Sequence, residues 1–255
     1  MPLEQHTKKA IHNYLLVELT RFVKENSEKE QLKAQEALAT RPFHARLVPT
    51  LFNVSLSKHS FYTRSGLWWQ QIAQLVGRQY HERAELGFQV VGQIKPAASS
   101  SIEEILSQLN APGIRRPQRL ADIAEVQTGQ YTGGDSIKVR ADLFILTWDG
   151  RELYFEMKTP EPNKDTCVAM KRFILRTAAM KKGYQAEAFA ATAYNPYGDG
   201  QAYTWNYAIQ FLEVGTDILI GRAFWSKIGD SNTYDELLQI SEDVGDEITR
   251  IIAAL

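Results

Sequence analysis

The chain has 255 residues and a formal net charge of −1, a size that suits one compact domain or a core with an elaborated N-terminal part. It holds no window of about 18 uncharged apolar residues, which excludes a transmembrane helix. Its first residues lack the apolar core and cleavage site of a signal peptide. The lone cysteine, Cys167, excludes an intrachain disulfide and a cysteine-rich zinc site. We therefore expect a cytoplasmic protein that does not bind a membrane.

The charged residues are unevenly distributed along the chain. Residues 160–182 hold six basic and two acidic side chains, whereas residues 230–255 hold seven acidic side chains and one arginine. Local electrostatic fields, and not the total charge, steer a polyanion toward a protein. The near-neutral total is therefore a weak argument against a nucleic-acid partner.

The first part of the chain is predicted to be largely helical. Apolar residues recur at helical spacing within residues 7–38, which predicts one or two helices, and again within residues 65–85. Residues 41–62 contain two prolines and are predicted to be irregular. Weak alternation over residues 88–94 predicts a short strand, and a serine cap with an acidic first turn predicts a helix over residues 99–109.

Residues 112–119 are predicted to form a basic loop. The loop carries Arg115, Arg116 and Arg119, and a guanidinium can read a guanine through two parallel hydrogen bonds. The loop is therefore a candidate for DNA recognition, although an exposed basic loop needs no target. Residues 123–131, which follow it, are predicted to be a strand.

The strongest strand signals are a pair over residues 137–148 and 153–159. Asp149-Gly150 between them predicts a two-residue hairpin turn. Asn163 then predicts the N-cap of a helix that runs to about residue 182.

A further strand is predicted over residues 186–194 and an amphipathic helix over residues 233–252. A strand–helix–strand crossover is right-handed and makes its two strands parallel. The order of elements therefore predicts a mixed sheet with helices on both faces.

The strand pair carries the residues with the clearest chemistry, Asp142, Glu156 and Lys158. Side chains alternate along a strand, so Glu156 and Lys158 share a face, and the antiparallel turn brings Asp142 alongside them. Two converging carboxylates suit an oxygen-ligated Mg²⁺, which can lower the pKa of a bound water and neutralise charge on a phosphate. A surface hairpin with a Glu–Lys pair needs no function, but Glu156 lies between the apolar Phe155 and Met157, where an unpaired charge is costly.

Residues after this strand pair are candidates for DNA contacts. Lys164, Lys171 and Lys182 are separated by 7 and 11 residues and line one helical stripe, so they can contact phosphates or form a solvated face. The helix start at Asn163 and Lys164 can hold a phosphate. Asn195 and Asn206 are candidate base contacts, whereas the aromatic residues near them are predicted to pack against the C-terminal helix.

Asp142 followed by Glu156-X-Lys158 resembles the signature of PD-(D/E)XK nucleases. The longer strings Phe155–Asp165 and Ala193–Gly198 are similar to type II restriction endonucleases of the TdeIII type. This resemblance implies an α/β (α+β) fold with a restriction-endonuclease-like αβββαβ core, in which a mixed central sheet is flanked by helices. It would place the nuclease core at residues 63–255, with added N-terminal helices over residues 1–62 as a candidate dimerisation element.

The same resemblance implies the activity and the roles of the site residues. Asp142 and Glu156 would be metal ligands for Mg²⁺, and Lys158 would be the catalytic lysine. The enzyme would act as a homodimer on double-stranded DNA. It would cut both strands at a short palindromic, GGNCC-like site and leave 5′-phosphate ends. A cognate DNA methyltransferase would complete the restriction–modification system.

The sequence departs from this family pattern at two positions. Ala141 stands where the signature has proline, and Gln71 stands where many relatives carry a glutamate on the helix before the sheet. Gln71 can position a water or be a half-buried helix residue. A repair or junction-resolving nuclease, a catalytically inactive DNA-binding module and an unrelated scaffold protein remain alternatives.

Overall fold

The computed structural model describes residues 1–25, 42–47, 58–111, 113–128, 134–181 and 185–253. The chain divides into two compact units, which we name by their content. The sheet unit comprises His81–Thr192 and Tyr203–Ile220, and the helical unit comprises Met1–Tyr80, Ala193–Ala202 and Gly221–Leu255.

The sheet unit contains a five-stranded mixed sheet whose strands lie in chain order. The first three strands pair antiparallel, and the last three pair parallel. Their bounds are Arg83–Ile94 (β1), Asp135–Leu146 (β2), Glu152–Met157 (β3), Ala186–Thr192 (β4) and Ile218–Ile220 (β5). The predicted mixed sheet flanked by helices is confirmed.

The helices within the described ranges are distributed over both units, and α4 to α7 belong to the sheet unit. Their bounds are Gln5–Glu25 (α1), Pro42–Leu47 (α2), Lys58–Tyr80 (α3), Pro96–Asn110 (α4), Arg119–Val126 (α5), Lys164–Met180 (α6), Asn206–Phe211 (α7), Arg222–Ile228 (α8) and Thr233–Ala253 (α9). No helix in these ranges has both the length and the apolar character that crossing a membrane requires.

The core of the sheet unit joins the sheet to α4, α5, α6 and α7 in one buried cluster. Phe144 of β2 and Tyr154 of β3 lie side by side in it, with ring centroids 5.2 Å apart. Ile174 of α6 is also fully buried in this cluster. Each large apolar side chain buried in this way contributes roughly 1.5–3 kcal/mol. The cluster therefore fixes the two strands that carry Asp142 and Glu156.

Helix α6 makes the crossover between β3 and β4. The Asn163 side chain caps it by accepting a hydrogen bond from the Thr166 backbone N–H at 2.8 Å. The two strands pair parallel over Glu152–Met157 and Ala186–Ala191. The predicted cap and parallel crossover are confirmed.

The helical unit has an aromatic core of its own. Phe22 of α1 meets Trp68 of α3 edge-on, with centroids 6.2 Å apart, and Phe43 of α2 packs against Trp69 and Tyr234. Phe43 is fully buried between these rings, and its segment is helical where an irregular chain was predicted. Residues 48–57 of that prediction lie outside the described residues. Residues 58–62 are helical and not irregular, because α3 begins at Lys58.

The predicted domain boundary between residues 62 and 63 falls inside α3. The helical unit also takes in two later stretches of the chain. The dimerisation role of residues 1–62 stays a prediction, and residues 26–41 and 48–57 lie outside the described structure.

The strand predicted over residues 123–131 is wrong, because residues 119–126 form helix α5. Arg119, Asp122 and Val126 are its buried residues, and their spacing of three and four places them on one helical face. Residues 129–131 lie outside the described structure.

The turn between β2 and β3 is longer than the two-residue turn predicted at Asp149-Gly150. It spans residues 147–151, because Thr147 N–H donates to the Arg151 carbonyl at 2.9 Å and Arg151 N–H donates to Thr147 Oγ1 at 2.9 Å. Gly150 has φ +80°, a conformation that favours glycine. The prediction therefore located the hairpin correctly and its closing residues incorrectly.

Candidate active site

Asp142, Glu156 and Lys158 meet at one point of the sheet unit. Lys158 Nζ lies 3.1 Å from Asp142 Oδ2 and 2.7 Å from Glu156 Oε1. Asp142 Oδ2 also accepts a hydrogen bond from the Met157 backbone N–H at 2.9 Å. The side chains of Asp142 and Glu156 are 17% and 19% exposed, and that of Lys158 is 34% exposed. The cluster is therefore recessed but open to solvent on the lysine side.

The pairing of β2 with β3 explains why these residues converge. Leu143 is the partner of Phe155, so Asp142 lies beside Glu156 at the next position along both strands. Phe155 is fully buried, and a slip by one residue would move its side chain to the opposite face of the sheet. The Lys158 N–H then donates to the Ala191 carbonyl at 3.0 Å and holds the chain against β4 just beyond the strand.

The electrostatics of the cluster reflect its burial and its two like charges. Burial raises the pKa of Glu156, and the charge of Asp142 raises it further, while Lys158 and Arg140 lower it in part. Burial alone would lower the pKa of Lys158, but its ion pairs with Glu156 and Asp142 outweigh burial and raise that pKa. The two carboxylates thus need a cation between them, and the lysine ammonium lies there.

The donor set fits a hard divalent cation. The two carboxylates direct oxygens at a point that a cation already occupies, and oxygen is the ligand that Mg²⁺ prefers. Among the described residues, no group of three or more His, Cys, Asp and Glu side chains could hold a metal ion. The described residues therefore offer two carboxylates at this point, and water and phosphate oxygens would complete the coordination shell.

Gln71 lies in α3 of the helical unit, where it is half-buried next to the buried Ile72. This placement suits a helix residue at the edge of an apolar stripe. The role predicted for Gln71 in positioning a water stays a prediction.

Two of the three arginines predicted to read bases are held by carboxylates of the sheet unit. Arg115 Nη2 lies 2.6 Å from Asp122 Oδ1 and 2.8 Å from Glu125 Oε2. Arg119 is 8% exposed and donates to the Ala188 carbonyl at 2.9 Å. Both guanidinium groups tie the loop to the fold, which does not suit base reading. Arg116 is exposed, and its role in reading bases stays a prediction.

Lys171 does not line a DNA-facing stripe. Its side chain is 0% exposed, and its ammonium lies 2.7 Å from Asp122 Oδ2 and 2.6 Å from Asp217 Oδ2. The prediction of a phosphate contact is wrong for Lys171, because this part of α6 faces the core and the ammonium is paired with buried carboxylates. Lys164 is exposed in the first turn of α6, next to the cap residue Asn163, whereas Lys182 lies outside the described residues.

Asn195 and Asn206 have different surroundings. Asn195 lies in the helical unit, where it donates to the Gln201 carbonyl at 2.7 Å and accepts from the Tyr197 N–H at 3.1 Å. Its amide therefore shapes a loop. Asn206 is exposed at the first residue of α7, and its role as a base contact stays a prediction.

The aromatic residues after β4 have a role that sequence reasoning missed. Tyr203 Oη donates to the Pro160 carbonyl, and Trp205 Nε1 donates to the Pro162 carbonyl, each at 2.6 Å. These bonds hold the segment between β3 and α6. The two prolines mark a segment without regular pairing, which is the signal that its carbonyls need side-chain partners.

Comparison of the sequence with known proteins shows its family. The family model described as "Type II restriction endonuclease, HinfI" matches residues 7–245. Type II restriction enzyme HgiCII of Herpetosiphon aurantiacus is 32% identical over 211 residues, which cover 80% of this chain and 77% of the relative. HgiEI and HgiBI, type II restriction enzymes of the same organism, are each 31% identical over 212 residues, with the same coverage.

The predicted enzyme class, type II restriction endonuclease, is thus confirmed. The matching family model is that of HinfI, whereas the motifs resembled the TdeIII type. The chain belongs to the HinfI family of type II restriction endonucleases.

Proposed function

We propose that this restriction endonuclease hydrolyses both strands of duplex DNA in a Mg²⁺-dependent reaction and leaves 5′-phosphate ends. Its target would be a short palindromic site, and the motif resemblance suggests a GGNCC-like one. The observation that carries this proposal is the convergence of Asp142, Glu156 and Lys158 on one recessed point.

The roles of the three residues follow from their contacts. A bound Mg²⁺ would be held by Asp142 and Glu156, and it supplies charge neutralisation and activation of water. Asp142 is oriented for this role by the Met157 N–H. Lys158, the most exposed member, can donate to the attacking water or to a non-bridging phosphate oxygen. The water oxygen bonds to phosphorus while the bond from phosphorus to the 3′ oxygen breaks, which yields a 5′-phosphate and a 3′-hydroxyl.

The duplex would be held by exposed polar residues of the sheet unit. Lys164 and Asn163 at the start of α6 are proposed to contact phosphate, since a helix N-terminus favours an anion. Arg116 and Asn206 are exposed and are proposed to contact bases or phosphates. Arg115 and Arg119 would not contact DNA themselves. They would hold the loop in place through ion pairs with the buried Asp122 and Asp217, respectively.

The enzyme is proposed to act as a homodimer, because a symmetric cut in two strands is most simply made by two sites related by a two-fold axis. A DNA methyltransferase of the same specificity would protect the host DNA. That partnership is functional and needs no contact between the two proteins.

Plasmid digestion with the wild-type chain and with Glu156→Ala tests the proposed reaction. We expect discrete fragments with Mg²⁺, none with EDTA, and none with Glu156→Ala, because the variant lacks one of two carboxylates. Glu242→Ala, which removes an exposed carboxylate of α9, is the matched control and should cleave like wild type.

The same assay separates the alternatives when a gel shift accompanies it. DNA binding by the wild type without cleavage would indicate an inactive DNA-binding module. Cleavage confined to branched or damaged substrates would indicate a repair or junction-resolving nuclease. Equal cleavage by the wild type and Glu156→Ala would contradict the proposed role of Glu156.

A further inference from the structure

Arg140 lies in β2 two residues before Asp142, and the proposed reaction has not used it. Its side chain is exposed. It makes no hydrogen bond or ion pair with any residue in the described part of the chain. An exposed arginine without a partner is common on a protein surface, so its position decides whether it has a role.

The guanidinium of Arg140 lies over the backbone of Gly87 in β1. A Cβ atom built on Gly87 would come within 2.9 Å of Arg140 Nη2 and 3.2 Å of Arg140 Nε. Gly87 is opposite Asp142, between the pairs Leu86–Leu143 and Phe88–Ala141. The side chain of Arg140 therefore extends along the sheet to the level of the catalytic aspartate.

Gly87 is suited to this arrangement in two ways. Its φ of +63° is a conformation that L side chains rarely adopt, and the absence of a Cβ leaves room for the guanidinium. The glycine thus forms a seat for the arginine beside the active site.

The charges around the site favour a cation at this place. Asp142, Glu156 and Lys158 carry formal charges of −1, −1 and +1, which leave a net −1 before any metal binds. A DNA phosphate brings a further negative charge. Arg140 is close enough to Glu156 for its charge to act on that carboxylate. An unpaired guanidinium can bind two phosphate oxygens at once.

We propose that Arg140, seated on Gly87, binds the phosphate that is cleaved. This inference rests on the proposed nuclease function and assigns one more residue to the same site. Arg140 would hold two non-bridging oxygens of that phosphate while Lys158 approaches from the β3 side.

Single-turnover cleavage at saturating enzyme, combined with DNA affinity measured with Ca²⁺ in place of Mg²⁺, tests the proposal. Arg140→Ala should lower the cleavage rate on the order of 10²-fold, as loss of one transition-state donor does, with a smaller change in affinity. Arg140→Lys should fall between, because lysine keeps the charge and loses the planar fork. Lys138→Ala, which removes an exposed cation two residues earlier on β2, is the matched control and should stay within a few-fold of wild type.

Gly87→Ala tests the seat independently. A methyl group at residue 87 would displace the guanidinium, so the rate should fall in the wild-type background and fall no further in an Arg140→Ala background. Melting temperatures of all variants show whether each remains folded at the assay temperature, since the positive φ of Gly87 makes the alanine strained.

Each outcome separates this inference from the proposed function. A wild-type chain that does not cleave DNA overturns the proposed function itself. If the wild type cleaves and Arg140→Ala behaves like Lys138→Ala, the function stands and the role of Arg140 is overturned. A loss of affinity at unchanged rate would place Arg140 on a flanking phosphate and would also overturn the proposal. Additive effects of Gly87→Ala and Arg140→Ala would overturn the seat.

Discussion

At the residue scale, the position of Lys158 could be predicted from the sequence, whereas that of Lys171 could not. Lys158 could be placed in the site because strand alternation and one hairpin bring it to Glu156 and Asp142. Lys171 shares a helical stripe with Lys164, yet it is buried against Asp122 and Asp217. These carboxylates come from distant parts of the chain, so local periodicity could not identify them.

Lys171→Met is expected to destabilise the fold by about 3–5 kcal/mol, because it leaves two buried carboxylates with one counter-charge fewer. Urea unfolding measures this change. Lys164→Met, an exposed position on the same helix, should change stability by no more than about 0.5 kcal/mol. Similar losses in the two variants would show that the buried network does not hold α6.

At the scale of elements, the hairpin, the crossover helix and the parallel strand were predictable, whereas α5 was not. Runs of apolar residues indicate the strands in the sequence, and Leu143–Ile145 and Leu153–Phe155 are buried in the structure. The crossover helix has a clear start at Asn163. Helix α5 is short, and its buried face contains Arg119 and Asp122, which a sequence pattern reads as polar and exposed. Ion pairs with tertiary partners decide its conformation.

The cap of α6 makes a prediction at this scale. Asn163→Ala should lower the free energy of unfolding by about 1 kcal/mol, because the Thr166 N–H loses its acceptor. Asn163→Asp keeps an acceptor and should unfold at nearly the wild-type urea concentration. If Asn163→Asp is as unstable as Asn163→Ala, the side-chain bond is not what starts the helix.

At the scale of the whole molecule, the sheet unit alone carries Asp142, Glu156 and Lys158. The enzyme class and the sheet could be predicted from motifs in residues 137–200, since strand pairing concentrates the chemistry there. The interleaving of the helical unit could not, because Ala193–Ala202 and Gly221–Leu255 return to the N-terminal helices through long-range packing.

Mixed dimers test the proposed two-fold assembly. Wild-type and Glu156→Ala subunits carrying different tags can be purified together as one complex. We expect this complex to cut one strand and to accumulate nicked plasmid, because only one of its two sites is intact. Linear plasmid formed without a nicked intermediate, or a single subunit in analytical ultracentrifugation with and without DNA, would contradict the dimer.

Sequencing the ends of DNA fragments tests most directly whether Asp142, Glu156 and Lys158 form a site-specific nuclease centre. A digest of long DNA by the wild type with Mg²⁺ should give 5′-phosphorylated ends at one short palindromic sequence. The same digest with Glu156→Ala should give none of these ends, although the variant should have the same melting temperature as the wild type. Ends at no common sequence, or the same ends from Glu156→Ala, would contradict that centre.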